Sequence, residues 1–170
     1  MENDFADDTY LKSSFYEQLV EHVFVSEVLQ EVWYSFRRTA EVLRSEIDAF
    51  GYDLVLDCNG VVRHVQLKTS KHDAKANGQK VNEALAGKPS GCVVWVFRNE
   101  QQGRMVFTYR FFGGKAKKPL PSLEGFKVAK HSKGNAKGVK AERKAIRVVP
   151  RSKFTPIPGI RELVETLFGL

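Results

Sequence analysis

The chain has little cysteine and lacks any long apolar run. Cys58 and Cys92 are its only cysteines, and neither lies in a CxxC motif or a paired Cys/His spacing. This argues against both a zinc site and a disulfide framework. No apolar segment approaches the roughly 20 residues that a membrane-spanning helix requires, so no membrane partner is expected. The N-terminal MENDFADD is acidic where a secretory signal would be basic and then apolar, which predicts a cytoplasmic protein.

Acidic residues are scarce in one part of the chain, residues 115–153, which we call the basic segment. It holds about half of the 27 Lys and Arg residues but only Glu124 and Glu142 of the 20 acids. The formal net charge of +7 is therefore concentrated there, and the remainder of the chain is net acidic. Such a segment is typical of a protein that binds a polyanion, because neutralised phosphates release counterions. The alternative is a lysine-rich loop that is merely solvated.

Length and composition predict one soluble globular domain, 1–170, because 42% of the residues are hydrophobic and 28% are charged. Hydrophobic periodicity predicts a helix near each end and strands between them. The predicted helices are residues 15–36 and an amphipathic segment that follows Pro158-Gly159. The predicted strands are 42–47, a hairpin within 51–70, 92–97, 104–112, 125–129 and 145–149. Residues 70–90 are predicted to be a polar connection with at most one short helix, at 81–86.

The most informative segment is residues 51–70, GYDLVLDCNGVVRHVQLKTS. An Asn-Gly pair between alternating apolar residues is the strongest short-range signal of a β-hairpin, because both positions of a type I′ turn need a positive φ. If Asn59-Gly60 forms that turn, Cys58 pairs with Val61. The same register then continues outward along both strands.

That register pairs Asp53 with Gln66. Side chains alternate between the faces of a strand, so Lys68 shares the face of Gln66, whereas Arg63 lies on the opposite face and is interpreted as structural. The hairpin therefore predicts a carboxylate, an amide oxygen and an ammonium side by side. This combination is a hard-cation site with a lysine beside it, which suits the hydrolysis of a phosphodiester.

Asp53 followed by Gln66-Leu67-Lys68 resembles the PD-(D/E)XK nuclease superfamily, in the variant that has QXK. The superfamily includes many restriction endonucleases and Holliday-junction resolvases. The run from FYEQLVEHVFVSEVL to AKHSKGNAKG also resembles an uncharacterised bacterial protein family, which brings no activity with it. The nuclease resemblance implies an α/β (α+β) fold with a restriction-endonuclease-like αβββαβ core. Its mixed central sheet would be flanked by the long N-terminal helix and the amphipathic C-terminal helix. The superfamily also has a substantial helix after the QXK strand, whereas residues 70–90 of this chain predict only a weak one.

The resemblance also implies a metal site, and oxygen ligands favour Mg²⁺ or Mn²⁺. Asp53 would be the principal ligand, Gln66 would offer its side-chain carbonyl, and the backbone carbonyl of Leu67 would add another. Lys68 would orient the attacking water and stabilise the developing charge. An acid from the first helix completes the site in many members of the superfamily.

Two acids of the first helix compete for that role. Glu17 lies three residues after Ser14, a capping-box spacing that gives it a structural explanation. Glu21 has no such explanation and lies at the edge of an apolar stripe, where a carboxylate usually has a partner. We therefore favour Glu21 as the fourth catalytic and metal-binding residue. Asp48 precedes a turn and is a weaker candidate.

These observations predict a metal-dependent nuclease acting on DNA, and a homodimer if both strands of a duplex are cut. The alternatives are a catalytically silent nucleic-acid-binding protein with the same fold and a nuclease subunit that needs a partner. The predicted nucleic-acid contacts lie in the basic segment, where lysines outnumber arginines and suit phosphates better than base edges. They are Lys130, His131, Lys133, Lys137, Lys140 and Arg143.

Overall fold

The structure, a computed structural model, describes residues 13–47, 50–131, 138 and 140–170. Within these ranges the chain forms two α-helices and nine strands. The helices are α1 (Ser13–Tyr34) and α2 (Ile160–Phe168). The strands are β1 (Ala40–Arg44), β2 (Leu54–Cys58), β3 (Val61–Lys71), β4 (Gly78–Asn82), β5 (Cys92–Gln101), β6 (Arg104–Gly113), β7 (Lys127–Lys130), β8 (Glu142–Pro150) and β9 (Thr155–Ile157).

The described residues form a central sheet of six strands in the order β1-β2-β3-β5-β6-β9. Its neighbouring strands are antiparallel except for β3 and β5, which run parallel. The predicted hairpin between β2 and β3 is confirmed, because Cys58 pairs with Val61. Asn59 and Gly60 have φ angles of 54° and 70°, as a type I′ turn requires. The two helices and the mixed sheet confirm the α/β class that the sequence predicts.

The connection from β3 to β5 departs from the expected core. Parallel neighbours need a crossover, and here it contains β4 and a 3-10 helix, Glu83–Gly87. Asn82 caps that helix, since its Oδ1 accepts a hydrogen bond from the backbone N–H of Ala84 at 3.0 Å. The short helix predicted at 81–86 is confirmed as this 3-10 turn, whereas β4 is not predicted. Residues 72–91 are all described, and they form no α-helix of the kind that the resemblance implies.

Both α-helices pack on one face of the central sheet. The buried residues of α1 follow helical spacing and are Val20, Phe24, Val25, Val28 and Val32. Two other apolar residues of α1 lie outside the core, since Leu19 is 36% exposed and Trp33 is 54% exposed. The amphipathic α2 is confirmed, with Leu163, Val164, Leu167 and Phe168 buried in the same core. Neither helix is long and apolar enough to cross a membrane.

A second sheet, β4-β8-β7 among the described residues, covers the other face of the central sheet. The six residues Cys92 to Phe97 of β5 are all buried. Three of them pack in the core on the side of the helices (Cys92, Val94, Val96). The other three pack in a second core on the side of the second sheet (Val93, Trp95, Phe97). A strand covered on both faces loses the polar alternation of a half-exposed strand. This explains the continuous apolar run in the sequence.

Arg63 confirms the prediction of a structural role on the face opposite Gln66. Its guanidinium is fully buried and donates hydrogen bonds to the carbonyls of Leu167 at 2.7 Å, Gly114 at 3.0 Å and Thr166 at 3.2 Å. Burial lowers the pKa of this guanidinium from its ordinary value. Two of the acceptors belong to the last turn of α2, where unsatisfied carbonyls and the helix dipole favour a cation. Arg63 thus fixes α2 against β3.

Candidate active site at the open edge of β3

The candidate site lies where β3 extends beyond the end of β2. The ladder between the two strands ends at Leu54 and Val65, but β3 continues to Lys71. The edge of β3 that β2 leaves uncovered lines a cleft of about 490 Å³. The side chains around it come from α1, the segment before β2, β3 and β4. They are Ser14, Glu17, Gln18, Glu21, Asp53, Leu67, Lys68, Thr69 and Gln79.

Asp53 is held at this edge by three hydrogen bonds. Its backbone N–H donates to the carbonyl of Val65 at 2.9 Å, and its carbonyl accepts from the N–H of Ser45 at 3.0 Å. Its Oδ2 accepts from the backbone N–H of Leu67 at 2.7 Å. The predicted direct pairing of Asp53 with Gln66 is wrong. The chain bends at residues 51–53, and the last regular pair of the β2–β3 ladder is Leu54 with Val65. The carboxylate nevertheless lies directly beside β3.

Gln66 is buried next to the cleft. It pairs with Val93 of β5 and is only 5% exposed. Within the described part of the chain its Oε1 has no hydrogen-bond partner. A buried acceptor without a donor costs about 1–3 kcal/mol of stability, so this unpaired oxygen needs an explanation, such as a bound ion. Its neighbours in β3, Val65 and Leu67, both bind Asp53.

Leu67 and Lys68 complete the β3 side of the site. The N–H of Leu67 points to the open edge, since it binds Asp53. The N–H and carbonyl of one strand residue project to the same edge, so the Leu67 carbonyl also faces the cleft. Lys68 is half-buried, lines the cleft and pairs with Trp95, which places it on the face of Gln66.

The two helix acids both reach the cleft from α1. Glu21 Oε1 accepts a hydrogen bond from Nε of Arg44 at 2.6 Å, and its side chain is 23% exposed. The partner expected for Glu21 is thus Arg44, which the sequence analysis missed. Ser14 lies inside α1, so the capping-box explanation of Glu17 is wrong. Because residues four apart share a helix face, Glu17 remains an alternative ligand, whereas Asp48 lies outside the described residues.

The donor set suits a hard cation with few protein ligands. In the described ranges no group of three or more His, Cys, Asp or Glu side chains is arranged to hold a metal ion. The cleft offers instead three carboxylates, Asp53, Glu17 and Glu21, and the backbone of Leu67, and the residue before Leu67, Gln66, carries an unpaired amide oxygen. Mg²⁺ commonly binds through one or two carboxylates and keeps several waters. The residues therefore fit Mg²⁺ better than a metal that needs a full protein cage.

The basic segment contributes the β7–β8 hairpin of the second sheet. Lys130, His131, Lys140 and Arg143 are exposed in or beside it, and Lys130 pairs with Glu142. Lys133 and Lys137 lie outside the described residues. The sequence analysis missed Lys80 of β4, whose Nζ donates to the carbonyl of Lys130 at 3.5 Å. Its neighbour Gln79 lines the cleft, so β4 joins this basic sheet to the candidate site.

The chain matches no family model, no curated protein and no solved structure. The likeness to PD-(D/E)XK nucleases stays a prediction that depends on Asp53, Gln66 and Lys68. Around one cleft the structure places Asp53 and Lys68 with Glu17 and Glu21 of α1. Gln66 is buried beside these residues, whereas the basic hairpin belongs to the neighbouring sheet.

Proposed function

We propose that the chain is a Mg²⁺- or Mn²⁺-dependent nuclease of PD-(D/E)XK type that hydrolyses phosphodiester bonds in DNA. The observation that carries the proposal is the cleft at the open edge of β3, in which Asp53, Lys68 and Glu21 meet. The unpaired Oε1 of Gln66 beside it supports the same conclusion. The order of α1, three antiparallel strands, a crossover and a parallel strand also supports a restriction-endonuclease-like core. The crossover without an α-helix is a departure from that core.

In this proposal each residue has a separate task. Asp53, Gln66 Oε1, the Leu67 carbonyl and Glu21 hold the cation. The chemistry that a divalent cation brings is Lewis-acid polarisation of the phosphate and a lowered pKa for bound water. Lys68 orients the water that attacks phosphorus and balances the charge that develops as the bond to the leaving oxygen breaks. The attacking water would release a proton to solvent as its bond to phosphorus forms, and the leaving oxygen would take a proton from solvent.

The charge of the site explains the importance of Glu21 in this scheme. Glutamine at position 66 in place of an acid removes one negative charge, so fewer carboxylates are available to compensate a divalent cation. Arg44 binds Glu21 at 2.6 Å, and a cation in the cleft therefore competes with the Arg44 guanidinium for the same carboxylate. One cation is easier to accommodate than two in a site of this charge.

The nucleic acid would cross the second sheet before it enters the cleft. Lys80, Lys127, Lys130 and Lys144 are exposed on strands of this sheet. Lysine is a point charge that suits phosphates, whereas arginine suits bidentate base reading. Binding is therefore expected to depend on salt and to be largely independent of sequence.

Cleavage assays with defined divalent cations test this proposal. Purified protein is incubated with duplex, single-stranded and branched DNA and with RNA, in Mg²⁺, in Mn²⁺ and in EDTA. The expected result is DNA cleavage that needs the cation and is abolished by Asp53→Ala. Asp73→Ala removes an exposed acid that follows β3 and serves as the matched control. Cleavage in EDTA, or by Asp53→Ala, contradicts the proposal.

A second candidate is a catalytically silent nucleic-acid-binding protein with the same fold. The observation that favours it is the Arg44–Glu21 ion pair, which neutralises one of the three acids that line the cleft. It predicts salt-dependent binding of DNA with no cleavage in any cation. A nuclease subunit that needs a partner would behave in the same way until that partner is added.

A further inference from the structure

An aromatic pair, Phe50 and Tyr52, lies just before Asp53 in the chain and takes no part in the proposed chemistry. The rings of Phe50 and Tyr52 are stacked, with centroids 6.5 Å apart and planes 21° apart. Phe50 is 43% exposed, so its ring is not part of the core. A stacked pair with one ring open to solvent presents an aromatic surface to a ligand.

A lysine lies against these two rings. The Nζ of Lys88 is 4.4 Å from the centroid of Phe50 and 5.4 Å from that of Tyr52. A cation over an aromatic face is attracted to it, and the ammonium remains a donor for an anionic group. Aromatic surface and positive charge are thus combined in one place, which we call the aromatic platform (Phe50, Tyr52 and Lys88).

The aromatic platform is supported from β3. The ring of His64 meets Tyr52 edge to face, with centroids 4.9 Å apart. His64 Nδ1 is 2.8 Å from the carbonyl of Pro89, the residue after Lys88. A carbonyl oxygen can only accept, so Nδ1 carries the proton and donates a hydrogen bond to the carbonyl of Pro89. His64 therefore connects both sides of the platform to the strand that carries Gln66 and Lys68.

The platform adjoins the candidate active site. Tyr52 precedes Asp53 in the chain, and both line a cavity of about 390 Å³ together with Glu21 and Arg44. Glu21 and Asp53 also line the cleft, so the two spaces meet at these acids. A phosphodiester at Asp53 would therefore have part of its own nucleotide, or the next one, beside Tyr52.

Resting on the proposed nuclease function, we propose that the aromatic platform stacks on an unpaired nucleobase next to the scissile phosphate. The substrate would then carry single-stranded or unpaired nucleotides at the cut. Bases stack on exposed aromatic rings without regard to sequence, and Lys88 provides a contact for the adjoining phosphate. A base within an intact duplex is already stacked on its neighbours and does not reach the platform.

Binding assays on a cleavage-deficient background, Asp53→Ala, test this inference. Fluorescent single-stranded DNA and a matched duplex are titrated with Asp53→Ala alone and combined with Phe50→Leu, which keeps apolar bulk but removes the ring. Phe50→Leu is expected to weaken single-strand binding at least about fivefold and to leave the duplex affinity within twofold. Phe50→Trp, which enlarges the ring, is expected to keep or increase single-strand affinity.

Tyr34→Leu is the matched control, because Tyr34 is 66% exposed at the end of α1 and lies about 20 Å along the helix from Glu21. It is expected to change neither affinity. Equal losses on both DNAs, or none with Phe50→Leu, overturn the aromatic platform while leaving the nuclease proposal intact. If Asp53→Ala binds neither DNA and the parent chain cleaves neither, both proposals are wrong.

Discussion

Glu21 on α1 and Arg44 at the end of β1 form an ion pair, with Nε and Oε1 2.6 Å apart, in the wall of the cavity of about 390 Å³ that adjoins the cleft. The guanidinium occupies one oxygen of the acid that we assign to the cation. Surface ion pairs of this kind contribute little to stability, about 0–1 kcal/mol. The pair is therefore a small barrier to a divalent cation, and its removal is a sensitive test of the role of Glu21.

The first prediction separates the two helix acids. Glu21→Gln is expected to weaken Mg²⁺ binding and cleavage strongly, because it removes the α1 carboxylate that we assign to the proposed cation. Glu17→Gln is expected to cost little in either. Arg44→Gln is expected to strengthen Mg²⁺ binding severalfold, since a competing positive charge is lost. Calorimetric titration with Mg²⁺ measures all three, and a larger loss with Glu17→Gln than with Glu21→Gln would reverse the assignment.

The second prediction concerns Glu27, whose carboxylate accepts a hydrogen bond from the buried Tyr109 hydroxyl. Burial raises the pKa of Glu27, and the hydrogen bond opposes this only in part. A raised folded-state pKa means that the contribution of Glu27 to stability is complete below its unfolded pKa, about 4.3, and is lost as the pH rises through the folded value. Ionisation of Glu27 at neutral pH therefore lowers the free energy of unfolding relative to that with the protonated acid.

Glu27→Gln is accordingly expected to raise the free energy of unfolding at pH 7 and to have a smaller effect near pH 4. The amide oxygen of glutamine still accepts the Tyr109 hydrogen bond. Tyr109→Phe is expected to lower stability by about 1–3 kcal/mol, because the half-buried carboxylate loses its donor. Urea unfolding at both pH values measures these effects. A Glu27→Gln variant that is less stable at pH 7 than at pH 4, relative to the parent, would contradict this sign.

The third prediction concerns Arg63. Arg63→Lys is expected to lower the free energy of unfolding by about 3 kcal/mol or more, because one ammonium cannot replace a planar donor that binds several carbonyls. Arg161→Lys is the control, since Arg161 is 57% exposed and 3.8 Å from Glu31, and a change within about 0.5 kcal/mol is expected there. Chemical unfolding of both variants shows whether the packing of α2 against β3 depends on Arg63.

The fourth prediction concerns phosphate contacts of the basic segment. Replacement of four lysines together by glutamine is expected to flatten the plot of log K against log salt by several units, at about 0.9 per duplex phosphate contact. The four are Lys130, Lys133, Lys137 and Lys140. Lys80→Gln alone is expected to flatten it by about one unit for the same reason. If the quadruple variant keeps the parent's affinity and slope, these lysines are only solvated surface.

Local signals predicted the parts of the fold that depend on neighbours in sequence. Asn59-Gly60 fixed the β2–β3 register, and the apolar spacing from Ile160 to Phe168 fixed α2. β4 escaped prediction because GQKVN is short and polar and pairs with a distant strand, with Gln79 opposite Val149. β9, with three residues, is shorter still and lies at the sheet edge, against β6.

The candidate site was likewise predicted only where it depends on neighbours in sequence. The hairpin register placed Asp53 near Gln66 and Lys68, but it could not show the bend that takes Asp53 out of the ladder to Leu67. The Arg44–Glu21 pair joins residues 23 positions apart on different elements. Gln79 and the aromatic platform depend on the crossover, whose path no local pattern reveals. Contacts that tertiary packing creates are thus the part that the sequence did not disclose.

The role of Lys68 in a cation-dependent cleavage site is tested by comparing two lysines of β3. Lys68→Ala is made alongside Lys71→Ala, an exposed lysine at the end of the same strand, and DNA cleavage in Mg²⁺ is measured together with thermal stability. We predict that Lys68→Ala abolishes cleavage with its stability nearly unchanged or raised, while Lys71→Ala cleaves like the parent. Full Mg²⁺-dependent cleavage by Lys68→Ala would contradict the account, and a loss of several kcal/mol of stability would identify a structural role instead.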